Sequence, residues 1–316
     1  MAAARAFLGM THTPLLGLIP LAADLERDMA AAFTAVVDGV RAFAPDRIVM
    51  IGPDHYNGFF NELMPPLCIG AEASAVGDFK TLAGPLNTDR ATALALADFM
   101  MDQDFDVALS YRMRVDHGFA QNLEQVFGSL ATPPVVPVFL NSVSPPVILR
   151  IRRALAFGRA LGRFLDSLPG RTLVMGSGGL SHEPPVPTMA NPDPAVRERL
   201  TVKREATPEE RAARMEFVKA AGLEMGAGKS KLKPLNPAWD KVWMDALESG
   251  RLEDLTGISE PSIVADAGLS GNESKTWLIA RAALPAGVPT TTTVRFYREI
   301  PSLIAGYGVL FMQAGG

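Results

Sequence analysis

Short, unbroken apolar runs alternate along this chain with longer segments whose apolar residues return every three to four positions. The runs at 4–10, 47–51, 134–140 and 172–175 carry almost no polar residue, which is how a strand covered on both faces reads. Between the first two lies 22–43, where Leu25, Met29, Phe33, Val36, Val37 and Val40 fall mostly on one helical face. Ala44-Pro45 closes that helix, because a proline disfavours helical geometry in the residue before it. Strand, helix, strand in this order is the unit of a parallel or mixed sheet. Further along, the pattern predicts a helix over 87–104 capped by Asn87 or Thr88, a strand at 106–110 and a helix over 122–130. Pro145-Pro146 opens another helix that runs to 168, since proline is accepted in a first turn. Residues 57–86 are punctuated by Gly and Pro and predict an irregular excursion with one or two short strands.

From about 194 the pattern changes. Charge becomes dense (Arg197-Glu-Arg, Lys203-Arg-Glu, Glu209-Glu-Arg), and breaks at 226–228 and 234–237 divide the stretch into several helices outside the sheet. Beyond it, a Gly-rich turn at 267–273 enters a helix to about 284, and 290–297 and 306–312 are closing strands. The expected class is therefore α/β. A central mixed β-sheet is flanked by helices, with a long helical insertion at about 194–260, all in one domain over 1–316.

Composition narrows the function. With 30 Lys and Arg against 34 Asp and Glu, the chain offers no basic face for nucleic acid or an acidic membrane. A single cysteine, Cys68, excludes a disulfide framework and points to a reducing, cytoplasmic compartment. The opening segment is too short and too soon interrupted to read as a signal peptide, and no apolar run is long enough to span a membrane.

Only four histidines occur, and their placement is informative: His12, His55 and His182 each follow an apolar strand run, while His117 sits in Val-Asp-His-Gly-Phe. In open α/β sheets, sites are built at the carboxyl ends of strands. Two neutral imidazoles and one carboxylate on loops after different strands suit ferrous iron with open positions, or a catalytic zinc of His₂Glu type. Residue types alone leave open which two histidines and which carboxylate. Taken singly, each candidate has an ordinary reading: His12 as a turn histidine, Asp116 as a mere neighbour of His117, and Glu273 as a favourable charge in a helix's first turn. Gly176-Ser-Gly-Gly lacks the P-loop lysine, and no G-x-S-x-G elbow is present.

Five motifs in order change that balance. They are Thr11-His12-Thr-Pro, Gly52-Pro-Asp-His55-Tyr-Asn, Val115-Asp-His117-Gly-Phe, Ser177-Gly-Gly-Leu-Ser-His182-Glu-Pro and Gly271-Asn-Glu273-Ser-Lys-Thr-Trp277. Together they make the chain resemble, over nearly its whole length, the class III extradiol catechol dioxygenases, the superfamily of the protocatechuate 4,5-dioxygenase β-chain. The resemblance implies that His12, His55 and Glu273 ligate Fe(II). It implies that His117 and His182 form an acid/base pair over a catechol ring, with the division between them open. Asp116 would hold the His117 imidazole, and Pro184 would shape the pocket beside His182. Partners would be a 3-substituted catechol with a short carboxylate chain and dioxygen, in a cytoplasmic homo-oligomer. Arg112, Arg114 and Lys275 are candidates for the carboxylate, and a zinc hydrolase on the same scaffold is the competing reading.

Overall fold

The structure, a computed structural model, describes residues 4–315; the first three residues of the opening segment lie outside it. In chain order the strands are β1 (Ala4–Met10), β2 (Arg47–Gly52), β3 (Leu67–Gly70), β4 (Ala73–Val76), β5 (Ala83–Pro85), β6 (Ala108–Ser110), β7 (Met113–Val115), β8 (Val135–Leu140), β9 (Arg171–Ser177), β10 (Thr290–Ile300) and β11 (Ala305–Ala314). The helices are α1 (Ala23–Phe43), α2 (Arg90–Asp102), α3 (His117–Phe127), α4 (Ile151–Asp166), α5 (Pro194–Thr201), α6 (Pro208–Gly226), α7 (Pro237–Ser249), α8 (Glu260–Ala267) and α9 (Ser274–Ala282).

Eight strands form the main sheet in the order β10-β11-β1-β9-β2-β8-β3-β6, and β5-β4-β7 form a small second sheet. β1, β9, β2 and β8 run parallel, while β11 and β3 flank them antiparallel. The sheet is mixed, as the pattern predicted. The unbroken apolar runs follow from burial on both faces. In β2, Val49 and Ile51 join the core on one side and Ile48 and Met50 the core on the other. β9 divides the same way, with Val174 on one side and Leu173 and Met175 on the other. Each such side chain removed from water contributes about 1.5–3 kcal/mol, so this parallel centre anchors the fold. Helices α2, α4, α7 and α9 cover the first face, and α1, α3 and α6 the second.

Two glycines let α9 lie directly on the sheet. A Cβ on Gly9 of β1 would collide with the Trp277 ring, and one on Gly176 of β9 with the Thr276 backbone. Trp277 and Thr276 then tie α9 to the end of β9: the indole Nε1 donates to Gly178 O (2.8 Å) and Thr276 Oγ1 to Ser177 O (2.8 Å). The residue just before α9, Glu273, is thereby carried to the carboxyl ends of β1 and β9.

Several boundaries differ from the sequence expectation. Helix α3 begins at His117, five residues earlier than the predicted 122, because Asp116 caps it by accepting from Gly118 N (2.8 Å). Helix α2 is capped by Asp89, which accepts from Thr92 N (3.0 Å), rather than by Asn87 or Thr88. Pro145-Pro146 does not open α4. Asn141 Nδ2 donates to the Ser144 and Val147 carbonyls (2.9 and 2.7 Å), holding a loop there, and the helix starts at Ile151. The Gly- and Pro-rich excursion contains β3, β4 and β5. No helix among the described residues is long and apolar enough to cross a membrane.

Candidate metal centre

Because β1, β2 and β9 are parallel, the loops that leave their carboxyl ends emerge together. They carry His12, His55 and His182, and the N-terminus of α3 brings His117 beside them. All four rings are buried, as is Glu273, which has no exposed surface at all. Glu273 Oε1 lies 3.2 Å from His55 Nε2, and Oε2 lies 3.6 Å from His12 Nε2 and 3.3 Å from His182 Nε2. Ligand atoms about 2.1 Å from a shared ion and at right angles sit roughly 3 Å apart, so each of these oxygen–nitrogen pairs is close to the separation of two donors on one cation. His117 also brings a ring nitrogen within 4.8 Å of nitrogens of His12 and His55. Its ring stacks on His55, with centroids 4.6 Å apart and planes at 17°.

The outer nitrogen of each ring is fixed by a different partner. His12 Nδ1 is 3.0 Å from Ser177 Oγ, which also accepts from Asn122 Nδ2 (2.9 Å). A proton on Nδ1 leaves the Nε2 lone pair facing inward. His55 Nδ1 donates to Asp116 Oδ2 (3.0 Å), and the His55 backbone N donates to the same oxygen (2.7 Å). His182 Nδ1 donates to the Leu180 carbonyl (3.0 Å). His117 Nδ1 donates to Asp78 Oδ2 (2.6 Å) and its backbone N to Asp78 Oδ1 (2.8 Å).

This corrects the expectation for Asp116. It does not hold the His117 imidazole, whose Nδ1 is 3.9 Å away, beyond hydrogen-bond reach. It holds His55 and caps α3 at once, while Asp78 holds His117. The chain reverses what sequence adjacency suggests: an acid directly before a residue in a helix N-cap turns its carboxylate back toward the helix start and the preceding loop. Asp78 follows β4 and Gly77 as Asp54 and His55 follow β2 and Gly52-Pro53, so a strand that ends on glycine and an acid was the available signal. Pro184 lines the same pocket as His12, His55, His117 and His182.

Charge and burial divide the imidazoles. Desolvation pushes His12 down to about 3, against the pull of Glu273 and with the neighbouring His117 and His55 adding to the fall. Burial acts on His55 too, but the charges and hydrogen bonds of Asp116 and Glu273 overcome it and hold His55 well above its ordinary value. His182 is likewise raised, with Glu273 outweighing burial. Burial alone would raise Glu273 and Asp116. The histidines around them reverse that and keep both carboxyls well below the usual range. Asp54 is pushed up to about 7, by burial first and by Asp116 second. Its carboxyl shapes the turn after His55 by accepting from the backbone N–H groups of Asn57, Gly58 and Phe59.

None of the three carboxylate-binding candidates enters the pocket. Lys275 is buried, with Nζ 2.6 Å from Glu260 Oε2 and 2.7 Å from Asn272 Oδ1. Arg114 pairs with Glu205, and Arg112 is exposed. The cation that does line the pocket is Arg214, on α6 of the helical insertion.

A buried cluster of four imidazoles and one carboxylate, set at the strand ends of an α/β sheet, is the donor set of a metal-dependent enzyme. The chain matches the family described as the catalytic LigB subunit of aromatic ring-opening dioxygenase over residues 6–308, and it belongs to that family. A 2,3-dihydroxyphenylpropionate/2,3-dihydroxicinnamic acid 1,2-dioxygenase of Comamonas testosteroni is 59% identical over 98% of this chain and 97% of that protein. A protein of the same name from Cupriavidus pinatubonensis is 47% identical over 96% of each chain, and one from a Mycobacterium species 45% identical over 95% of each.

Proposed function

We propose that the protein is an iron(II) extradiol dioxygenase that opens the ring of 3-(2,3-dihydroxyphenyl)propionate and its cinnamic counterpart beside the diol. The observation that carries this reading is the reach of Glu273 to both His12 Nε2 and His55 Nε2. The relatives, named as 2,3-dihydroxyphenylpropionate/2,3-dihydroxicinnamic acid 1,2-dioxygenases, supply the substrate class and favour a dioxygenase over a zinc hydrolase.

His12, His55 and Glu273 would hold the ion. The alternative of three imidazoles, with His117 in place of Glu273, is disfavoured by charge: a fully buried carboxylate among imidazoles needs a cation to offset its desolvation. Bound there, ferrous ion supplies the charge that favours a catecholate and the redox chemistry that engages dioxygen. The rest is done by the chain's own residues. His117 Nε2, at the start of α3 and with Nδ1 anchored on Asp78, and His182, in the loop after β9 and with Nδ1 anchored on Leu180 O, face the ring position and move protons to and from the hydroxyls. Pro14, Leu15, Phe79, Val186 and Ile304 line the pocket and keep water from the reacting edge. The test is anaerobic loading with Fe(II), then substrate, then air: a ring-cleavage chromophore and one dioxygen consumed per catechol are expected, and neither appearing would refute the reading.

Asp78 gives a sharper check on the His117 assignment. Asp78→Asn keeps the side chain's size but loses the charge that orients the imidazole, and should lower kcat by about 10–100-fold. Iron content measured on the same preparation should stay at the wild-type level, because Asp78 contacts neither His12, His55 nor Glu273.

A further inference from the structure

Helix α6 presents one face to the centre. Arg211, Arg214, Val218, Gly222 and Met225 lie three or four residues apart, and Val218, Gly222 and Met225 are buried against the body of the fold. Gly222 packs so closely on Ser302, Leu15 and Ile19 that a Cβ there would collide with them. The helix is thus pinned at one end, with Arg214 held over the pocket mouth.

The tight pocket around the histidines adjoins a wider chamber of about 490 Å³. His55, Val186, Arg214 and Val218 line both. Among these four only Arg214 carries a fixed charge. Five arginines surround the chamber, and their partners differ. Arg114 is paired with Glu205 and Arg204 with Glu210. Arg211 is spent on the Ala206 and Val76 carbonyls. Arg199 is exposed at the outer rim. Arg214 is half-buried and, among the described residues, has no carboxylate partner. It donates through Nη2 to the His55 carbonyl (3.1 Å), and its guanidinium carbon lies 5.7 Å from the Phe79 ring centroid. Phe79 in turn meets His117 edge to face, with centroids 5.1 Å apart. A guanidinium carries five N–H donors in a fork that matches a carboxylate, so this one retains capacity for a bidentate acceptor.

We propose that Arg214 is the residue that binds the side-chain carboxylate of the substrate and so selects three-carbon acids over uncharged catechols. This rests on the extradiol reading above. The geometry suits it. The carboxylate of such an acid lies about 4 Å beyond the ring carbon that bears the chain, at roughly 1.5 Å per bond. With the diol among the histidines, the chain points out through the wall that Arg214 shares between pocket and chamber. A propionate and its rigid unsaturated counterpart place the charge at nearly the same distance, so one guanidinium serves both. Its bond to the His55 carbonyl keeps it beside the metal-binding loop without consuming its charge.

The test compares kcat/KM for 3-(2,3-dihydroxyphenyl)propionate with that for 3-propylcatechol in wild type, Arg214→Met, Arg214→Lys and Arg199→Met. In Arg214→Met the preference for the acid should fall by about 30-fold or more, mostly through KM, as expected for a lost charge-assisted bidentate contact. Arg214→Lys should recover part of it, and Arg199→Met should keep it. The assignment is overturned if Arg214→Met loses both substrates in proportion, if it keeps the wild-type ratio, if Arg199→Met is the variant that loses it, or if wild type shows no preference for the acid. Failure of wild type to cleave either catechol would instead refute the extradiol reading, and this assignment with it.

Discussion

Glu273→Ala should yield a folded protein that does not retain ferrous ion and whose ring cleavage is reduced by about 10³-fold or more, since an ion in such a site supplies several kcal/mol of stabilisation. The carboxylate is the sole anion touching both His12 Nε2 and His55 Nε2 among the described residues, and it is fully buried. Removing it leaves two neutral nitrogens, too few and too weakly charged to hold a divalent cation against water. Glu273→Gln keeps the volume and should fail equally, which separates loss of charge from loss of packing. Iron content by elemental analysis, beside a circular dichroism spectrum, decides the matter; a variant that holds iron at the wild-type level would rule Glu273 out as a ligand. In wild type, uptake should strengthen as pH rises. His12, lowered to about 3, and Glu273, held well below 4.5, are already in ligating form near neutrality. His55, held well above 6.5, is not, so binding must expel its proton, and falling pH opposes it.

The parts of this molecule that were legible in its sequence are those where one physical requirement dominates. The strands β1, β2, β8 and β9 are buried on both faces, so their residues had little choice but to be apolar. The turn residues after them stand out because ionisable groups rarely follow such runs without a task. The fold class and the strand-end placement of His12, His55 and His182 could be read for that reason. What escaped depends on side chains that meet across the chain. Asp78 sits 39 residues from His117, in a segment without period, and nothing local shows that its carboxylate closes on that ring. Asp116 precedes His117, yet its carboxylate is claimed by the cap of α3 and by His55, 61 residues away. Arg214 belongs to a charge-dense helix that the pattern places outside the sheet, and only the docking of α6 through Gly222 turns one of those charges inward. Lys275 shows the converse: it lies next to the motif around Glu273, but helical geometry points it away, into Glu260.

Substituting either member of the flanking pair should separate chemistry from metal binding. His117→Gln and His182→Gln are each expected to lower kcat by about 10²–10⁴-fold, the usual worth of a positioned proton donor or acceptor, while iron content and anaerobic catechol binding persist. The expectation follows from where the outer nitrogens are tied. His12 and His55 both turn Nε2 onto Glu273, with Ser177 and Asp116 behind them. His117 is braced by Asp78 and stacks face to face on His55 without touching Glu273, so it can lean over a ring without surrendering a ligand. His182 does meet Glu273 Oε2, at 3.3 Å, and that contact raises its pKa against the effect of burial. A cation on the same oxygen would compete with His182 for that contact, leaving His182 to face the substrate. If His117→Gln empties the site, the ligands are the three imidazoles, and Glu273 is their counter-charge. If His182→Gln empties it, His182 belongs among the ligands, and the acid/base work falls to His117 alone. Metal retention with chemistry lost in both variants is the expected result, with Asp78 and Leu180 O holding the two rings in place.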